Sequence, residues 1–202
     1  MRVRPDFTRE RELWSRGAAT MVLAPDAALD GLADSKLLSP RRREALFDAI
    51  KARAVAIGIG RAKVEEVDRL NVYWAAMEAR RRAVKALPIT PDHVLVDGQR
   101  RIAGCHVLQT PVVDGDALSG SIAAASIVAK VTHDRLMKEH ARLHPGYGFE
   151  HHNGYCTAVH LAALERLGAL PLHRRSFAPV RVTESTRRQL PLDFETALWR
   201  LL

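Results

Sequence analysis

His93-Val-Leu-Val-Asp97-Gly98 decides the fold class, because an apolar run of strand length halts there at a carboxylate and a turn residue. Such a run reads as a buried strand that delivers its Asp to the rim of a sheet. The pattern recurs in Val112-Val-Asp114-Gly-Asp116, just before a long Ala-rich helical segment from Ser119 onward. Two carboxylates from neighbouring strands can hold a hard divalent cation, which prefers oxygen ligands. An Asp before Gly is also an ordinary turn residue. Asp114 competes with Asp116 as the functional acid, and Asp116 can equally cap the helix that follows, although Ser119 suits that role.

Working outward, Phe7–Arg16 reads as a short helix with Asp6 as N-cap, and Ala18–Leu23 as a strand ending at the turn-like Ala24-Pro25-Asp26. Ser39-Pro40 starts a helix that runs to Arg53, with Leu46, Phe47 and Ile50 inward. Val55–Gly60 is a strand. Val64–Leu87 is a helix broken near Leu70-Asn71 and stopped before Pro88. Val94–Asp97 and His106–Val113 are the next strands. Ser119–Leu143 is the longest helix, its stripe read as Ile122, Ala125, Ala129 and Leu136. Thr157–Leu167 is a helix closed by Gly168, and Phe194–Leu201 a weak one. Strands alternating with helices predict a mixed α/β sheet. No repeat or linker divides the chain, so a single domain is expected over residues 1–182, followed by a tail over 183–202.

The 202 residues are 47% hydrophobic, enough for a real core. A net charge of +8 and a pI near 10.1 favour a polyanionic partner, nucleic acid first. Arg41-Arg42-Arg43, Arg80-Arg81-Arg82, Arg100-Arg101, Arg174-Arg175 and Arg187-Arg188 are spread along the whole chain. Several fall on predicted helices, where such groups usually form a solvated face; their spread fits contact with phosphates better than base readout. Two cysteines, Cys105 and Cys156, imply no disulfide framework and suit a reducing compartment. No apolar stretch approaches a membrane span and Met1-Arg-Val-Arg-Pro5 lacks a signal-peptide core, so a cytoplasmic protein is expected. His152, Cys156 and His160 repeat at zinc-like intervals, but Gly154 opposes a continuous helix and no second ligand pair follows. Gly58-Ile-Gly60-Arg61 lacks the third glycine of a dinucleotide loop and is simply strand.

Several blocks carry a family resemblance: Gly31-Leu-Ala-Asp34-Ser35-Lys36-Leu-Leu-Ser39, Val94-Leu-Val-Asp97-Gly98 and Gly115-Asp116-Ala-Leu-Ser. They continue in Ile122-Ala-Ala-Ala-Ser-Ile-Val-Ala-Lys130-Val-Thr-His-Asp134, Tyr147-Gly-Phe149, Asn153-Gly154-Tyr155 and His173-Arg-Arg-Ser-Phe177. In order and spacing these resemble ribonuclease HII of the bacterial type, from Asp6 to about Val182. The resemblance implies a ribonuclease H-like mixed sheet flanked by helices, with a helical C-terminal part. It implies cleavage of RNA in RNA–DNA hybrids and at ribonucleotides within duplex DNA, by a monomer using Mg²⁺ or Mn²⁺. By the same resemblance two cations would activate a water and stabilise the departing 3′ oxygen. Asp97 would be a metal ligand and Asp116 the further catalytic and metal-facing acid. Asp34, Ser35 and Lys36 look like the segment that approaches the substrate backbone, and Tyr155 like the tyrosine at the ribose–deoxyribose junction. Asn153 departs from the pattern, which commonly has lysine there.

The larger departure is at the front. The family opens with a strand bearing an adjacent Asp-Glu pair, followed by a Gly-Arg-Gly turn; here Trp14-Ser-Arg-Gly17 runs directly into Ala18–Leu23, which matches the end of the second strand. A loss of one strand and turn, on the order of 15–20 residues, explains this better than point changes. It would leave Asp97 and Asp116 as an under-liganded pair. Asp26 and Asp30 sit in a loop, and Glu10 and Glu12 belong to the N-terminal helix, so no upstream acid substitutes. The lost strand would be central; either Ala18–Leu23 shifts inward or the sheet splits. Three readings follow: a family member with impaired activity, a non-catalytic binder of hybrid or duplex nucleic acid, or a defective gene product.

Overall fold

The structure, a computed structural model, describes residues 18–23 and 29–189. The expected helices at 7–16 and 194–201 lie outside the described residues. Strand β1 (Ala18–Leu23) pairs antiparallel with β2 (Ala54–Gly60), Ala18 opposite Gly60, with a register shift between Val22 and Leu23. Helix α1 (Pro40–Arg53) joins them. Ser39 Oγ accepts the Arg42 N–H at 3.2 Å, and Pro40 takes a first-turn position whose N–H would have no helical partner anyway. Leu46, Phe47 and Ile50 are buried, as their spacing predicts.

Helix α2 (Val64–Lys85) opens where Glu66 Oε2 accepts the Lys63 N–H at 2.8 Å. It breaks at Asn71, the place its sequence predicts, with φ 64° and ψ 171°. The Asn71 side-chain oxygen accepts the Tyr73 and Trp74 N–H groups at 2.9 and 3.2 Å, so Asn71 caps the second half while its own backbone turns left-handed. Parallel strands β3 (His93–Asp97) and β4 (Leu108–Val112) follow, with Asp97 opposite Val112. The remaining elements are α3 (Gly115–Leu118), α4 (Gly120–Leu143), α5 (Phe149–His152), α6 (Ala158–Leu167) and α7 (Ala178–Gln189). Ser119 Oγ caps α4 at 3.4 Å from the Ile122 nitrogen, and Gly168, at φ 84°, ends α6. No described helix is long and apolar enough to cross a membrane.

Sequence reading misses α3 and α5, which at four residues each complete no second turn and so show no period. It also misses α7, a largely polar segment that runs through residue 183, where the sequence-based domain limit falls. The buried face of α4 is broader than the predicted stripe. Ile122, Ala123, Ala124, Ile127, Val128, Ala129 and Val131 are buried, whereas Ala125 and Leu136 are only half-buried. The cause is that α4 meets β1, α1, β3 and α5 at once, so several faces are covered.

Among the described residues the strands form two separate two-stranded sheets, β1–β2 and β3–β4. The helix α4 contacts both β1 and β3. Of the two outcomes expected for a sheet without its central strand, the arrangement of the described residues matches the split. Its effect shows in β3: Val94 and Val96 are buried with Met77, Val84 and Ile102, while Leu95 is 44% exposed. The expected buried strand is thus buried on one face only.

Sheet β1–β2 lies tightly under α2, because a Cβ on Gly58 would strike the Ala83 carbonyl oxygen and one on Gly60 that of Ala79. Gly60→Ala should therefore cost about 1–3 kcal/mol of stability. Urea unfolding tests this: a lower midpoint at unchanged slope is expected, and an unchanged midpoint would refute the close approach.

Candidate active site

The ladder of β3 and β4 carries Asp97 to the sheet end, where the Gly98 N–H continues it to the Val112 carbonyl at 2.8 Å. Asp97 Oδ1 accepts the Gly115 N–H at 3.1 Å, which ties the end of β3 to the start of α3. Arg80 Nη1 donates to the Asp97 backbone oxygen at 3.0 Å, and its Nη2 stands 3.9 Å from Oδ2. The Asp97 side chain remains 44% exposed.

Asp114 and Asp116 separate cleanly. Asp114 is exposed, in the left-handed N-cap position of α3 at φ 51°. Asp116 is half-buried and faces other acids. Burial pushes its carboxyl above the ordinary range, and the charges of Asp34 and Asp97 push the same way against Lys36; a hydrogen bond with Asp34 adds to the rise. The structure therefore gathers Asp97, Asp116, Asp34 and Lys36, although sequence reading places Asp34 and Lys36 with the substrate segment. A short turn sets that segment's shape, with the Lys36 N–H donating to Asp34 Oδ1 at 3.0 Å.

Repelling carboxylates are an environment that a cation relieves, but the donor set falls short of one. Among the described residues no group of three or more His, Cys, Asp or Glu side chains is placed to hold a metal ion. Asp97 in addition already faces a guanidinium. A hard divalent cation takes about six oxygen ligands, so this pair does not fit it as a complete site.

Ser35 is fully buried and its hydroxyl has no partner, so this segment meets its surroundings through the backbone. Arg43 holds that backbone: its Nη1 donates to the Ser35 carbonyl at 3.0 Å and to that of Leu38 at 2.5 Å. Arg43 pairs with Asp134 at 3.6 Å, Asp134 with Lys130 at 2.9 Å, and the Lys130 ammonium lies 5.4 Å from the Tyr155 ring centre. One chain of buried charge thus links the Ser35 segment to Tyr155. Burial works to raise the Asp134 carboxyl, yet its hydrogen bonds to His133 and Lys130 hold it below the usual range. Sequence reading places Arg43 in a solvated, phosphate-facing basic run, which its burial contradicts, and assigns no individual role to Lys130 or Asp134. The i, i+4 spacing of Lys130 and Asp134 on α4 is the signal that could have found two of them.

The run Arg80-Arg81-Arg82 is not the free solvated face expected. Arg82 pairs with Glu66, and both Arg81 and Arg82 pair with Glu78. His152, Cys156 and His160 do not assemble as ligands, since Cys156 is exposed while the two rings stack at 4.4 Å. His160 Nε2 instead meets His173 Nε2 at 3.1 Å. Burial, with His160 beside it, pushes the His173 imidazole down to about 4, so this pair is neutral core at pH 7. A cavity of about 230 Å³ between α2, α4 and α6 is lined by His133, His140, His160 and His173, and by none of the clustered acids.

Asp134→Ala would strand two cationic side chains, Arg43 and Lys130, that are 11% and 8% exposed. Removing one partner from such a buried set costs about 3–5 kcal/mol, so this variant should lose that much in thermal or urea unfolding. A loss under about 1 kcal/mol would show that the pairing behaves like a surface contact.

A family model described as Ribonuclease HII matches residues 18–180. The chain is 55% identical over 164 residues to the ribonuclease HII of Anaeromyxobacter sp. (strain Fw109-5), covering 81% of this chain and 52% of that relative. It thus spans about half the length of that relative. To the ribonuclease HII of Myxococcus xanthus (strain DK1622) it is 48% identical over 201 residues, covering 89% of this chain and 68% of the relative. The fold is similar to the crystal structure of ribonuclease H2 from Pyrococcus horikoshii OT3, with a TM-score of 0.63. That likeness, at 22% identity, covers 92% of this chain and 87% of the other and concerns the fold alone.

Proposed function

The chain belongs to the ribonuclease HII family, hydrolases that cut RNA in RNA–DNA hybrids, and from that premise we propose that it binds hybrids and ribonucleotide-bearing duplex DNA while incising them slowly or not at all. One observation carries this reading: β3 and α3 bring Asp97 and Asp116 together beside Asp34, and the described residues supply no complete cation site. Support comes from the described strands, which form two separate two-stranded sheets rather than one continuous one.

In this reading Asp97 and Asp116 are the catalytic carboxylates, and Mg²⁺ or Mn²⁺ is the ion they would face. Their shortfall is the physical reason for impaired incision. Lys36, exposed beside the acids, supplies positive charge for a backbone phosphate. Asp34 fixes the turn that presents Lys36, and Ser35 anchors it from within. Tyr155, half-buried over Lys130, offers a ring to a sugar. A non-catalytic binder is the second reading, favoured by the net charge of +8.

The test is incision of a duplex carrying one ribonucleotide, with Mg²⁺ or Mn²⁺, beside a binding titration at two salt concentrations. Salt-sensitive binding is expected, with incision at least about 100-fold below that of a family enzyme with a complete carboxylate set. Robust metal-dependent cleavage that Asp97→Asn abolishes would overturn the impairment. Failure to bind any probe would overturn the nucleic-acid reading.

A further inference from the structure

Two aromatic side chains stand on the surface of α2 where the core does not need them: Tyr73 is 41% exposed and Trp74 is 44% exposed. Their rings meet edge to face, 5.1 Å between centres. The Arg100 guanidinium, on the loop after Asp97, lies 5.9 Å from the Trp74 ring centre. Arg100 and its neighbour Arg101 are both exposed.

This group is held in place from both sides. Asn71 caps the helix directly beneath it, fixing the Tyr73 and Trp74 backbone. The arginine loop is pinned at its start by the Gly98–Val112 hydrogen bond. At its far end Gln109 accepts the Ile102 N–H at 2.7 Å and donates to the Ile102 and Cys105 carbonyls at 3.2 and 3.0 Å. Six residues along α2 from Trp74 stands Arg80, which contacts Asp97; at 1.5 Å per residue that is about 9 Å, one to two nucleotide steps. Exposed, pre-positioned aromatics beside guanidinium groups suit a polyanion with flat apolar faces. Aromatic stacking needs a base face that is open, which a base inside a duplex does not offer.

We propose that Tyr73, Trp74 and Arg100 form a stacking platform for an unpaired nucleobase of a strand that passes the acid cluster at Asp97. The inference rests on the nucleic-acid reading above and adds to it a substrate feature: a junction between duplex and single strand. Arg100 covers the ring from one direction and reaches the adjoining phosphate, while the exposed part of Trp74 receives the base.

The chain has three tryptophans, so Trp14→Phe with Trp199→Phe leaves Trp74 as the one indole reporter. That protein is titrated, by fluorescence and by anisotropy of a labelled probe, with a ribonucleotide-bearing duplex that is either blunt or carries a short single-stranded extension. Quenching of Trp74 by the extended probe is expected, with little by the blunt one. Trp74→Ala, made in the otherwise natural chain, should weaken the extended probe about tenfold. Trp74→Phe should restore most of that loss, Arg100→Gln should weaken it less, and none should alter blunt-duplex binding. Extended-probe binding with unquenched Trp74 and no effect of Trp74→Ala overturns this inference alone. Equal quenching by both probes overturns the requirement for an unpaired base. No binding of either probe overturns the nucleic-acid reading, and this inference with it.

Discussion

The packing of Ala124, Ile127, Val128 and Val131 on α4 against Leu46, Phe47 and Ile50 on α1 joins parts of the fold that, among the described residues, share no strand ladder. In an intact sheet, hydrogen bonds between neighbouring strands fix their relative positions. Here β1–β2 and β3–β4 each complete one ladder, and α4 touches both. The apolar seam of α4 therefore does the work that strand pairing would otherwise do. It is a weaker constraint on register, because apolar contact is not directional.

The site inherits that constraint. Asp97 comes from β3 and Asp116 from α3, and a single hydrogen bond from Gly115 to Asp97 brings the two supports together. Asp34 arrives from the other half, on a segment tied down by Arg43 through Asp134 on α4. The acid cluster thus sits across the seam between the halves. Its Asp116 carboxyl is raised first by burial and then by the charges of Asp34 and Asp97, which Lys36 offsets in part. The residues proposed to face substrate are the better supported structurally, since Tyr155, Lys130, Asp134, Arg43 and the Ser35 segment are linked in one continuous chain of contacts.

Sequence alone revealed the local devices. Ser39-Pro40 announced α1, Asn71 announced the break in α2, and Asp97 before Gly98 marked a strand end, because each acts on its own backbone within a few residues. What stayed hidden depends on distant partners. Three consecutive arginines, 41 to 43, read alike; yet Arg41 is exposed, Arg42 reaches the Asp30 carbonyl and Arg43 is buried against Asp134 on another helix. Leu95 reads as core but is exposed, since burial of its face depends on what covers the sheet. Asp34 reads as part of a substrate loop, and only the fold shows it against Asp116. The motif blocks named the family and the missing Asp-Glu pair already predicted too few ligands, while the closeness of Asp34 to Asp116 needed three dimensions.

The central claim is that Asp97 and Asp116 are brought together without enough oxygen donors to hold a divalent cation firmly. Titration of the chain with Mn²⁺, followed by the loss of the free-ion paramagnetic resonance signal, tests this without reference to catalysis. The account predicts a dissociation constant weaker than about 1 mM, made weaker still by Asp97→Asn. Binding in the micromolar range that Asp97→Asn removes would contradict it.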